Sequence, residues 1–148
     1  NAFVINVMTA ARCMCKIERY SINYDPENFH LAFQNLIQGY GKPYCRDTIG
    51  KCYVCLSRCL QCCRRYEQAT KYAKQALSIF LPDSFPLERL IDDCCQLLVE
   101  LYLSINDDSN NVPTKYELIK NRTLLNDEEI KNLLQTTLDE LKDELENK

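Results

Sequence analysis

The chain has 148 residues, of which 26% are charged, 3 are Gly and 5 are Pro, and its formal net charge is −3. Its length indicates one domain, able to bury about 70% of its unfolded surface without a disulfide or metal staple. No apolar run approaches the ~20 residues of a membrane span, and Arg12, Lys16, Glu18 and Arg19 break up the first twenty residues too often for a secretory signal.

The net charge conceals an asymmetry. Residues 1–80 carry 11 basic and 5 acidic side chains, and residues 81–148 carry 7 and 16. A basic half beside an acidic half suggests partners of mixed sign or head-to-tail self-contact. Nucleic acid is disfavoured as a partner, because no aromatics are interleaved with the basic residues. The chain begins at Asn1 rather than Met, which suggests a piece of a larger protein.

In chain order the apolar residues recur at helical spacing, and strand-like alternation is nowhere sustained. Val7, Ala10, Ala11 and Met14 open the pattern. The segment from Ser21 to Pro26 interrupts it, and Phe29 to Ile37 resumes it. Gly39-Tyr40-Gly41-Lys42-Pro43 is a helix-ending turn, with glycine supplying positive φ. It lacks the full phosphate-loop pattern.

Two amphipathic patterns then meet at Arg64-Arg65-Tyr66, within YVCLSRCLQCCRRYEQATKYAKQALSIFLP from Tyr53 to Pro82. Leu87, Leu90, Ile91, Cys94, Leu98 and Leu101 form a further stripe. A weaker one runs from Tyr116 to Leu125. Thr114-x-x-Glu117 and Asn126-x-x-Glu129 are capping-box signatures. After the second, Ile130, Leu133, Leu134, Thr137, Leu138, Leu141 and Leu145 line one face of a helix about 30 Å long.

Tyr53, Leu56, Ser57 and Leu60, followed by Ala69, Ala73, Ala76 and Pro82, resemble the tetratricopeptide (TPR) hairpin signature. In that pattern Ala73 replaces the usual aromatic, Arg64-Arg65 stands where a turn glycine is common, and Pro82 comes one residue late. The resemblance covers about a quarter of the chain well. It implies an all-α fold of stacked antiparallel helical hairpins, a TPR-like right-handed superhelix with a C-terminal capping helix. The approximate hairpins are 3–40, 48–82 and 86–125, and the cap is 127–147. The cap is expected against the end of the stack, over Leu90, Cys94 or Leu98. The resemblance also implies that Ser57 and Ala69 meet where the helices of one hairpin touch. The bland alternative is an ordinary helical bundle.

Ten cysteines stand at positions 13, 15, 45, 52, 55, 59, 62, 63, 94 and 95. Cys52, Cys55, Cys59 and Cys62/Cys63 recur every three or four residues, which is the apolar stripe of a helix. A free cysteine packs as a small hydrophobe. The pairs Cys52-x2-Cys55 and Cys59-x2-Cys62 also look like zinc half-sites. Four thiolates along one straight helix cannot converge on a tetrahedral ion, so no metal and no cofactor is expected. The alternative is a metal-binding domain in which one such pair supplies half a site, completed by Cys13/Cys15 or Cys94/Cys95. The cysteine usage fits a reducing compartment, cytoplasm or nucleus. His30 with Cys45 is the sole formal nucleophile–base pair, but no third partner is evident. No enzymatic activity is expected.

Lys51, Arg58 and Arg65 recur every seven residues and form a basic stripe beside the apolar face. By the TPR resemblance Arg58 faces the groove lined by first helices, and Arg12 occupies the matching position of the first hairpin. The expectation is a protein-interaction module whose Arg12, Lys51, Arg58 and Arg65 bind an acidic peptide or helix through charge-assisted hydrogen bonds. The competing reading is a solvated charged face. A further alternative is homodimerisation through the C-terminal helix, whose stripe also approximates heptad spacing.

Overall fold

The computed structural model describes residues 24–38, 45–81, 87–106 and 111–147, together with the backbone but not the side chains of Cys45, Leu87 and Glu88. The first helical pattern with Arg12, Cys13 and Cys15, and the glycine turn at 39–43, lie outside the described residues. Six helices follow one another: α1 (Pro26–Gln38), α2 (Cys45–Cys62), α3 (Tyr66–Ile79), α4 (Leu87–Ile105), α5 (Lys115–Asn121) and α6 (Asp127–Glu146). There is no strand among the described residues. The fold class is all-α, and no helix is long and apolar enough to cross a membrane among those residues.

Helices α2 and α3 form an antiparallel hairpin, and its register can be followed from tip to base. Near the tip, the Ser57 hydroxyl donates to the Ala69 carbonyl at 2.6 Å. Midway, the rings of Tyr53 and Tyr72 stack with centroids 6.0 Å apart. At the base, Gly50 lies against the Phe80 ring, which a Cβ at that position would overlap. The turn itself is a Schellman motif. Arg65 N–H bonds to Leu60 O at 2.9 Å, Arg64 N–H bonds to Gln61 O at 3.0 Å, and Arg64 sits at φ 61°. Arginine thus occupies the left-handed position that glycine favours, where the TPR pattern commonly has a glycine.

The core runs through all the long helices. Phe29, Phe33 and Leu36 of α1, Ile49, Tyr53, Leu56 and Leu60 of α2, and Ala73, Ala76 and Leu77 of α3 are buried. Ile91, Cys94, Leu98 and Leu101 of α4 join them on α3. The cysteine stripe is divided. Cys52, Cys55, Cys59, Cys94 and Cys95 are buried free thiols, whereas Cys62 and Cys63 are exposed. The expectation of one continuous apolar stripe fails at its end because α2 stops at Cys62 and the chain turns away from the core.

Both capping boxes form. The Thr114 side chain accepts from Glu117 N–H and the Asn126 side chain from Glu129 N–H, and each glutamate reaches back to its cap. α5 is only 7 residues long, and from Arg122 to Asn126 the chain is non-helical. Two arginines fasten this strap to the carbonyl end of α3, where guanidinium groups satisfy orphan acceptors and oppose the helix dipole. Arg122 donates to Leu77 O and Phe80 O at 3.1 and 3.0 Å. Arg46 donates to Ile79 O at 3.0 Å and to Leu125 O at 2.7 Å.

The terminal helix α6 packs within the same chain, but not over Leu90, Cys94 or Leu98 as expected. It lies along α1 and reaches across to α2 and α3. Ile130, Leu134, Thr137 and Leu141 are buried. The physical reason lies on the flank of its stripe: Glu140 and Glu144 need cationic or phenolic partners. Arg65, Lys71 and Tyr72 supply them at the α2–α3 hairpin, and Tyr24 just before α1. α4 has α5 as its neighbour instead, with Leu118 and Ile119 packed against the core.

Candidate functional site

Helix α2 presents two opposed faces. Tyr53 marks the inner one. Its hydroxyl shares a 2.6 Å hydrogen bond with the Thr137 hydroxyl of α6, and its ring meets Phe33 at 4.9 Å between centroids. Lys51 and Arg58 lie about 150° round the helix from Tyr53, at 100° per residue. Both are exposed. Val54, one turn before Arg58 on that side, is half-buried and packs against the core. At the far end of this face Gln61 donates to the Glu100 carboxylate of α4 at 3.4 Å. The stripe therefore borders α4, and the Arg58 charge is felt at the Cys94 thiol, whose pKa it lowers slightly.

A ladder of contacts also reaches α6 from the segment before α1, the hairpin turn and α3. Tyr24 donates to Glu144 at 2.7 Å, and Arg65 pairs with the same carboxylate at 2.6 Å. The Arg65 guanidinium lies 5.0 Å from the centre of the Tyr24 ring. One helical turn away, Tyr72 donates to Glu140 at 2.5 Å, and Lys71 pairs with it at 2.8 Å. Burial raises the hydroxyl pKa of Tyr24, Tyr53 and Tyr72. The glutamates beside Tyr24 and Tyr72 raise theirs further.

These contacts resolve part of the charge asymmetry inside the molecule. Arg65, Lys71 and Arg46 of the basic half meet Glu144, Glu140 and Asp127 of the acidic half. Of the four candidate partner-binding residues, the structure places Lys51 and Arg58 together on one exposed face. Arg65 departs from them. The helix ends before it, and its guanidinium turns to Glu144 and Gln68. Arg12 lies outside the described residues.

The chain matches no family model, no curated protein and no solved structure at a significant level.

The thiols have their own environment. Cys94 donates to the Ala73 carbonyl at 3.2 Å, and burial, with Cys95 beside it, pushes its pKa up to about 12. Cys95 is also raised, again by burial first. Such thiols are held as neutral packing groups rather than nucleophiles. Among the described residues no three His, Cys, Asp or Glu side chains are grouped to hold a metal ion. His30 is half-buried, and the side chain of its formal partner Cys45 lies outside the described ones.

Sequence reasoning missed Tyr24, Glu140 and Glu144, and the two capping arginines Arg46 and Arg122. The signal for the glutamates was their place flanking Thr137 and Leu141. A carboxylate on the edge of a buried stripe calls for a cationic or phenolic partner.

Proposed function

We propose that this chain is a protein–protein interaction module, TPR-like in its hairpin, that holds an acidic peptide or helix of a partner against the outer face of α2. One observation carries the reading. Lys51 and Arg58 stay exposed on one stripe with half-buried Val54 beside them, while Arg46, Arg65 and Lys71 are matched by acids of the C-terminal half. A half-buried valine between two cations one heptad apart suits a helix whose carboxylates recur at the same spacing. Arg12 belongs to the same proposal, and Arg65 serves in it indirectly, by fastening α6. No catalytic, membrane or nucleic-acid role is part of the reading, and its setting is a reducing compartment, cytoplasm or nucleus. Buried cysteines packed as small hydrophobes support that setting.

Oligomerisation through α6 is the second reading. It has less support, because Ile130, Leu134 and Leu141 already pack against the chain's own core.

The test is affinity capture from cell extract with the wild-type chain, Lys51→Glu, Arg58→Glu, and Lys142→Glu on the outside of α6. The proposal expects a partner lost with the first two variants and kept with the third. A partner that binds all four equally contradicts it.

A further inference from the structure

Because α5 is so short, a cleft of about 370 Å³ stays open between α3 and the α5–strap segment, floored by α4. Its accessible apolar lining is Leu118 and Tyr102, backed by the buried Leu77 and Leu98. Lys74 stands at the rim with its ammonium 5.3 Å from the centre of that ring. Arg122 lines the other end.

Arg122 is the informative group. It is half-buried, and burial lowers its pKa. One nitrogen, Nη1, makes both bonds to the α3 carbonyls. Nε and Nη2 make no hydrogen bond, and the guanidinium no ion pair, among the described residues. Helix capping accounts for one nitrogen of this cation, and Arg122 also lines the cleft. One carboxylate, Glu117, also lines the cleft, with its Oε1 accepting from Thr114 in the capping box. Two cations set against this single carboxylate leave the cleft lining with an excess of positive charge.

We infer that this cleft is a binding site for a small carboxylate carrying an apolar chain. The carboxylate would meet the Arg122 guanidinium and the Lys74 ammonium, and the chain would lie against Leu118 and Tyr102. The volume sits at the low end of the roughly 300–1,000 Å³ of small-ligand sites, which fits an alkyl acid or one acylated apolar amino acid. The site is separate from the outer face of α2 and does not rest on the interaction-module reading.

The experiment is an amide-resolved NMR titration of the whole chain with octanoate, N-acetyl-leucine and the neutral octanamide. The expected result is saturable shifts at Tyr102, Leu118, Asn121 and Thr123 with at least one acid, and binding of the amide weaker by about ten-fold or more, the loss of one charge-assisted contact. The tighter of the two acids names the source of the carboxylate. Lys74→Glu, an exposed substitution, should weaken the acid and spare the amide. Arg122→Lys should do the same, provided its melting curve matches wild type. If it unfolds, the Lys74 variant decides alone. Equal affinity for acid and amide overturns the assignment. So does the absence of saturable shifts up to about 10 mM ligand, the range of the weakest specific affinities.

Discussion

The Ser57 hydroxyl and the Ala69 carbonyl meet at 2.6 Å, and neither residue has any exposed surface. This contact sets how closely α2 and α3 approach. A leucine at position 69 has no space to occupy, so Ala69→Leu is expected to cost about 1–3 kcal/mol through overpacking. Ser57→Ala removes one buried hydrogen bond and should cost about 1 kcal/mol. Urea denaturation of both variants measures the costs, and unchanged midpoints would place the close approach elsewhere.

At the other end of the hairpin two effects compete at Gly50. Helix propensity favours alanine over glycine by about 1 kcal/mol. A Cβ there overlaps the buried Phe80 ring, and overpacking costs about 1–3 kcal/mol. The clash wins, so Gly50→Ala should lower the melting temperature, and Gly50→Ala with Phe80→Leu should recover part of the loss. A more stable single variant would show that the ring gives way freely.

The turn between those helices offers a gain. Arg64 holds φ 61°, a conformation that costs a residue with a Cβ about 1–2 kcal/mol. Glycine escapes that cost but loses more chain entropy on folding. Arg64→Gly is therefore expected to stabilise by about 0.5–1 kcal/mol, and Arg64→Val to destabilise. Equilibrium unfolding of both variants checks the sign.

Buried phenols set a limit at high pH. Tyr24, Tyr53 and Tyr72 all have hydroxyls raised above the ordinary value of 10.0. A group whose folded pKa is raised contributes stability that is complete below its unfolded pKa and lost as pH rises towards the folded value. Unfolding free energy should hold steady to about pH 9 and fall above about pH 10. The tyrosinate signal of Tyr24, Tyr53 and Tyr72 should appear only with loss of helicity. Titration of these three tyrosines near pH 10, with helicity intact, would contradict their burial.

Much of the fold can be read from the sequence where local chemistry decides it. The helical class follows from period and composition. The Ser57–Ala69 contact is implied by the resemblance to a TPR hairpin, and both capping boxes follow from Thr114 and Asn126. What the sequence does not reveal is long-range pairing. Nothing local says that Glu144 meets Arg65 and Tyr24 across 79 and 120 residues, and those partners give α6 its seat. Likewise Arg46 reads as one more surface cation until the α3 carbonyls come to it. Arg65 looks like the third member of a heptad with Lys51 and Arg58, but the Schellman turn before it ends the helix that the heptad assumed. Of the candidate site, the Lys51–Arg58 pair was legible because both lie on one uninterrupted helix.

The central claim is that the outer face of α2 holds a partner. Site-specific photocrosslinking tests it most directly, with the reactive side chain replacing Cys62, exposed one turn beyond Arg58 on α2, in one chain and Lys142 in another. A discrete crosslinked protein is expected at position 62, weakened by Arg58→Glu and by salt, since exposed charges are screened within about 10 Å at 0.1 M. None is expected at position 142. A crosslink at 142 alone, or one at 62 that ignores both salt and Arg58→Glu, would contradict it.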